Sequence, residues 1–262
     1  MNRFITAGLG LALVATPFVA TTATASDTTE RKAAPAFSVS ASINKTTAVA
    51  DEDIVKIRGK VSPRAAGDRV VLQQRMEGNK TWKKSGTAKI KPTGKFLLKD
   101  DASAAGTRFY RVLKPASDGM AKGVSKELEL VVYKWELLGQ RLRGPATNVS
   151  VTTATIATDN YGVSLVNTTA GTPASIEYTL GKKCVTLRST YALTDATATG
   201  GTGMVAVKRD GAVAFASGLV LGQVIQNEIM IGTAFRISFE LTSSATPAAF
   251  VAVGSPEVLC TK

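Results

Sequence analysis

Val55-Lys56-Ile57-Arg58-Gly59-Lys60-Val61 sets apolar Val55, Ile57 and Val61 on one side of an extended chain and three cations on the other. Alternation with period two marks a strand with one buried and one solvated face. The pattern spreads in both directions. Before it, Phe37-Ser38-Val39-Ser40-Ala41-Ser42-Ile43 alternates in the same way. After it, a turn over Ser62–Asp68 leads into Arg69-Val70-Val71-Leu72-Gln73-Gln74-Arg75. Glu77-Gly78-Asn79-Lys80 has the composition of a turn, and Trp82 opens a strand running to Ile90. Pro92-Thr93-Gly94-Lys95 then turns into Phe96-Leu97-Leu98, and Phe109–Leu113 and Leu128–Tyr133 complete the series.

Seven short strands in roughly 100 residues predict an immunoglobulin-like sandwich over residues 35–133. A second series starts at Trp135-Glu136-Leu137-Leu138-Gly139 and fills residues 134–262. Its strand-like segments are Tyr161–Val166, Ala174–Leu180, Cys184–Tyr191, Gly203–Lys208, Val213–Ser217, Gln223–Ile231, Ala234–Leu241 and Phe250–Val253. Asp210-Gly211 between two apolar segments is a strong hairpin signal. Eight or nine strands in about 125 residues predict a jelly-roll β-sandwich. Beyond the N-terminal apolar run, no amphipathic segment of helical period exceeds two turns, so the expected class is all-β.

The N-terminus reads as an export signal. Arg3 precedes an apolar run from Phe4 to Ala20, followed by small residues ending Ala23-Thr24-Ala25. That is the charged, apolar and small-x-small order of a secretory signal. Gly8, Gly10 and Pro17 interrupt the run, which argues against a spanning helix. Residues 1–25 are therefore expected to be a signal peptide cleaved after Ala25, with 26–34 a linker and the mature protein secreted or associated with the cell surface. An integral membrane protein is not expected.

The chain has two cysteines, Cys184 and Cys260. In an oxidising compartment such a pair is expected to form a disulfide, contributing about 4–5 kcal/mol on the chain-entropy account. The alternative is two buried free thiols. The formal charge of +12 is uneven: residues 35–133 carry 19 Lys and Arg against 10 Asp and Glu, and residues 134–262 carry 10 against 8. On an exported protein a basic first half points to anionic surface polymers, or simply to solubility. A nucleic-acid partner is not expected, because no recognition motif accompanies the charge.

There is no histidine. This removes the commonest general base and the histidine-based nucleophile pairs and metal sites. Gly-x-Ser-x-Gly elbows and phosphate-cradling glycine loops are missing too. Ser42-Ile43-Asn44-Lys45 matches Ser-x-x-Lys but falls at the end of a strand. Asp51-Glu52-Asp53 and Asp100-Asp101 are read as solvated turn charges, or at most a weak Ca²⁺ site. No catalytic residue, cofactor or resident metal is expected, and the chain reads as a non-enzyme.

Two resemblances add to this. Gly59-Lys60-Val61-Ser62-Pro63, Gly67–Gln73, Trp82, Gly94-Lys95-Phe96 and Gly106–Val112 resemble the bacterial Ig-like domains of secreted actinobacterial proteins, which serve as spacer or adhesion modules. Ala174–Leu180, Cys184-Val185-Thr186-Leu187 and Gly203–Gly211, with Gly232–Ile237, resemble the NPCBM family of galactose-binding-like jelly rolls. That second resemblance implies carbohydrate binding at a loop end of the sandwich. Sugar sites pair an aromatic platform with a few polar groups, and the residues available are Trp135, Tyr161 and Tyr191, with Asn160, Arg188 and Asp195. Each has a structural alternative: Trp135 packing at the junction, Tyr191 in the core, Asp195 capping a turn. The expected partner is a glycan or cell-wall polymer. The competing expectation is a structural protein that binds a surface protein and has no glycan site.

Overall fold

The computed structural model describes residues 34–262, which form one compact unit. The expected signal peptide and its cleavage after Ala25 lie outside the described residues.

The class is all-β. The first half holds β1 (Ser38–Ile43), β2 (Thr47–Val49), β3 (Ile54–Ser62), β4 (Arg69–Met76), β5 (Lys83–Lys89), β6 (Lys95–Asp101), β7 (Gly106–Lys114), β8 (Gly123–Val124) and β9 (Leu128–Leu137). One sheet has the order β1-β3-β6 and the facing sheet β9-β7-β4-β5, with β2 parallel to β9. That pairing of three strands against four is the arrangement of an immunoglobulin-like sandwich. The alternation in β3 has the expected cause: Val55, Ile57 and Val61 are fully buried while Arg58 is exposed. They join Val70, Leu72, Phe96, Tyr110, Leu130 and others in one hydrophobic cluster.

The second half holds β10 (Arg143–Thr147), β11 (Val149–Ile156), β12 (Asp159–Asn167), β13 (Ala174–Thr179), β14 (Cys184–Leu193), β15 (Thr202–Arg209), β16 (Ala212–Val220), β17 (Val224–Met230), β18 (Arg236–Ser243) and β19 (Val251–Cys260). One sheet runs β10-β13-β18-β15-β16, and the other places β19 between β14 and β12, with β17 and β11 outermost. Two antiparallel five-stranded layers enclose a second cluster that includes Leu187, Tyr191, Phe239 and Val258. The Asp210-Gly211 hairpin is present between β15 and β16, with φ of 49° and 86° at its two central residues. Cys184 and Cys260 are directly opposed on β14 and β19 and form a disulfide.

Several elements differ from the sequence reading. β9 does not stop at Tyr133; it pairs with β7 through Val132 and with β19 from Lys134 onward, so one strand serves both sheets. β19 continues to Cys260 instead of ending at Val253. Asp100 is in β6 rather than a turn, and its carboxylate accepts hydrogen bonds from Tyr110 (2.6 Å) and from Ser85. Lys45 of the Ser-x-x-Lys match is occupied by an ion pair with Asp53 at 2.5 Å.

Candidate functional site

The outer face of β17, β14 and β19 is partly open. The β11–β12 hairpin covers its upper part, where Ala154, Ile156, Ala192 and Ala252 form a small apolar cluster. Below this cover lies a cleft of about 450 Å³ whose walls include Tyr161, Arg188, Gln226, Glu228 and Glu257. It lies on a sheet face, not at the loop end that the family resemblance implied.

Arg188 anchors one side. On β14 it stands in register between Glu228 of β17 and Glu257 of β19. Its Nε donates to Glu257 Oε2 at 2.8 Å, and its guanidinium lies 4.0 Å from the centroid of the Trp135 ring. Stacking and ion pairing together restrict a side chain that would otherwise sample many rotamers. Trp135 reaches this position because β9 runs on past Lys134 and pairs with Leu259. A neighbouring cleft, lined by Trp135, Gln140, Arg141 and Glu257, continues along the same face.

Tyr161 forms the opposite side. Its ring lies over Gly254, where the absence of a side chain leaves it room. The fully buried Ser164 holds the hairpin down: its hydroxyl donates to the Tyr161 carbonyl at 2.9 Å and accepts the Ser255 N–H at 3.2 Å. Asp195 acts at the tip. Its two carboxylate oxygens accept the N–H groups of Ala157 and Thr158, both at 2.8 Å, where φ is 48° and 71°. It clamps the turn that carries β12, which is the capping alternative for this residue.

Of the six expected ligand residues, the fold brings Trp135, Tyr161 and Arg188 to one face. Asn160 is next to Tyr161 in the chain, and consecutive strand residues point to opposite faces; its carboxamide oxygen accepts a bond from Thr155 Oγ1 at 3.0 Å. Tyr191 requires correction. It is fully buried on the inner side of β14, and its ring stacks on Phe215 with centroids 4.8 Å apart. Burial pushes its phenol up to about 12, and none of its surface is open to solvent. Sequence reading missed Gln226, Glu228, Gly254 and Glu257. The available signal for the last of these was the expected Cys184–Cys260 link, which sets the chain before Cys260 beside the strand that carries Arg188.

The cleft thus offers donors (Arg188, Gln226) and acceptors (Glu228, Glu257) beside the Tyr161 ring, with Trp135 backing Arg188 from the neighbouring cleft. Among the described residues no group of three Asp, Glu or Cys side chains is placed to hold a metal ion. Nor does any described helix have the length and apolar character to cross a membrane.

The fold and this cleft define an all-β sandwich protein with a shallow polar site on a sheet face. No family model matches the chain, and no curated protein matches it. Among solved structures, one similar to this chain is described as the structure of CBM51-2 in complex with GlcNAc and INT domains from Clostridium perfringens ZmpB. Identity is 9% and the TM-score 0.38, over 84% of this chain and 48% of that one. The chain therefore spans about half the length of that neighbour.

Proposed function

We propose that this chain is a secreted, non-catalytic binding protein whose second half, an NPCBM-like jelly roll, recognises carbohydrate, such as a cell-wall glycan, in the cleft between Arg188 and Tyr161. The observation that carries the reading is the Trp135–Arg188–Glu257 stack facing Tyr161 over an open, polar floor. A polyol needs donors and acceptors fixed in place around an apolar surface, and this cleft has both. Lectins are among the proteins built on jelly rolls. The Cys184–Cys260 disulfide favours an oxidising compartment and hence export. The basic first half would hold the protein near an anionic surface.

A structural or protein-binding role is the second reading. Arg188 covers one face of Trp135, which leaves less of the indole free as a sugar platform.

The test is retention of the full-length protein on a glycan array and in polysaccharide gels, alongside Arg188→Ala and Tyr161→Ala. The full chain is required because β9 is shared between the two sheets. Retention that both substitutions weaken supports the first reading, with a loss of about tenfold or more when a charged hydrogen-bonding group is removed. No retention of the folded wild type on any glycan overturns it and leaves the second.

A further inference from the structure

The five-stranded sheet β10-β13-β18-β15-β16 ends in strands of opposite character. β10 carries Arg143 and Pro145, and its pairing with β13 is interrupted between Arg143 and Ala146. Charge, proline and irregular register are the usual means of keeping a sheet edge from recruiting another strand. β5, at the edge of the first-half sheet, carries Lys83, Lys84 and Lys89. β1 and β11 lack charge but are rich in serine or threonine.

β16 has neither charge nor proline, and the single shift in its pairing with β15 falls near its start at Ala214, leaving Phe215–Val220 in regular register. It reads Ala-Val-Ala-Phe-Ala-Ser-Gly-Leu-Val, and the uncharged run extends from Gly211 to Asn227. Among the described residues it pairs with β15 alone. Val213 is 60% exposed and Val220 53% exposed. Ala214, Ala216 and Gly218 are exposed as well, so the outward surface of the edge is flat. A long, flat, apolar edge with unpaired backbone groups is a template for another strand.

We propose that β16 is a self-pairing edge through which two copies of this chain form an antiparallel dimer. Charge selects the occupant. In a two-fold arrangement the same strand meets itself, and here every opposed pair is neutral. A chain of net charge +12 repels its own copy through most other surfaces, and this edge lies in the half whose balance is only +2. A charged polymer or peptide finds no complementary group along the strand. The dimer continues one sheet across the axis and leaves the cleft on the other sheet.

Sedimentation equilibrium of the full-length protein over micromolar to sub-millimolar concentrations tests this, at low and at physiological salt. Wild type is expected to dimerise more tightly as salt screens the remaining repulsion. Ala216→Lys places two like charges near the axis and is expected to weaken association by about tenfold or more, with circular dichroism and melting temperature unchanged because the side chain is exposed. Single cysteines at each position from Ala214 to Gly218 provide a second reading, since antiparallel pairing centred on this stretch brings one of them to its own copy and yields a disulfide-linked dimer on oxidation. A monomer at every concentration overturns the proposal, as does a dimer that survives Ala216→Lys and forms no linked species in the cysteine set.

Discussion

Gly254 and Tyr161 make a contact that no other residue at 254 would allow. A Cβ built on Gly254 would stand 2.9 Å from Cδ1 and 3.0 Å from Cγ of the tyrosine ring, and 3.3 Å from Ile156 Cδ1. Gly254→Val must therefore lift the hairpin from the sheet or push the ring into the cleft. Overpacking of this kind costs about 1–3 kcal/mol. Chemical denaturation should show that loss together with weakened glycan retention. Unchanged stability and retention would place Tyr161 elsewhere.

The first-half fold was readable because its strands alternate cleanly, as Val55, Ile57 and Val61 do between cations. The second half was only partly readable. β10 and β11 carry Pro145 and a threonine-rich stretch in place of apolar alternation, so neither registered as a strand. β14 is covered on both faces over Ser189–Leu193, because the hairpin sits on one face and the core on the other. Burial there has no period of two, and Tyr191 could not be assigned to a side. Glu257 is hidden because Gly254-Ser255-Pro256 has the composition of a turn, although the strand continues through it to Cys260.

Tyr191 separates a core role from a ligand role. Tyr191→Ala empties a fully buried site and should cost about 3–5 kcal/mol. Any loss of ligand retention in that variant would follow unfolding. Tyr191→Phe keeps the ring against Phe215 and should change stability by about 1 kcal/mol or less while leaving retention at the wild-type level. A folded Tyr191→Phe that no longer binds glycan would contradict the core placement.

In the first half, Asp100 joins buried groups that cannot be removed independently. Arg108 is 5% exposed, donates to the Ala104 carbonyl at 2.6 Å and stands 3.9 Å from Asp100 Oδ2, which also accepts from Tyr110. Asp100→Ala leaves that guanidinium without its counter-charge and should cost about 3–5 kcal/mol. Replacing both at once, as Asp100→Ala with Arg108→Met, should cost less than the sum of the two single changes. Strict additivity in a double-mutant cycle would show that the two do not interact.

The disulfide joins strands already paired in the sheet. Its contribution comes from the chain that it closes in the unfolded state, and Cys184→Ser with Cys260→Ser should lose about 2–5 kcal/mol. Urea titrations with and without reductant should separate the wild-type curves and leave the double variant unmoved. If reductant has no effect on the wild type, the bond does not form in solution.

Acid should act through carboxylates that accept hydrogen bonds in the folded state. Asp210 is the clearest of these. The N–H of Arg236 at 2.8 Å holds its carboxyl below the ordinary value of 3.8, aided by the Phe235 N–H and the charges of Arg209 and Lys182, against some desolvation. Lys45 lowers Asp53 in the same way, and Lys114 with Ser117 lowers Asp68. A depressed folded-state pKa means that the unfolded chain binds protons first as pH falls. The stabilisation is therefore complete above the ordinary carboxylate range and is lost as pH drops through the folded values. Asp210→Asn keeps a residue that tolerates the positive φ of the hairpin but removes the charge. It should destabilise the protein near neutral pH, and the gap from wild type should close as pH falls below the ordinary carboxylate value of 3.8 and Asp210 itself becomes protonated. Urea midpoints across that range decide it. A gap that stays constant with pH would mean that the Asp210 carboxylate contributes through its shape and not its charge.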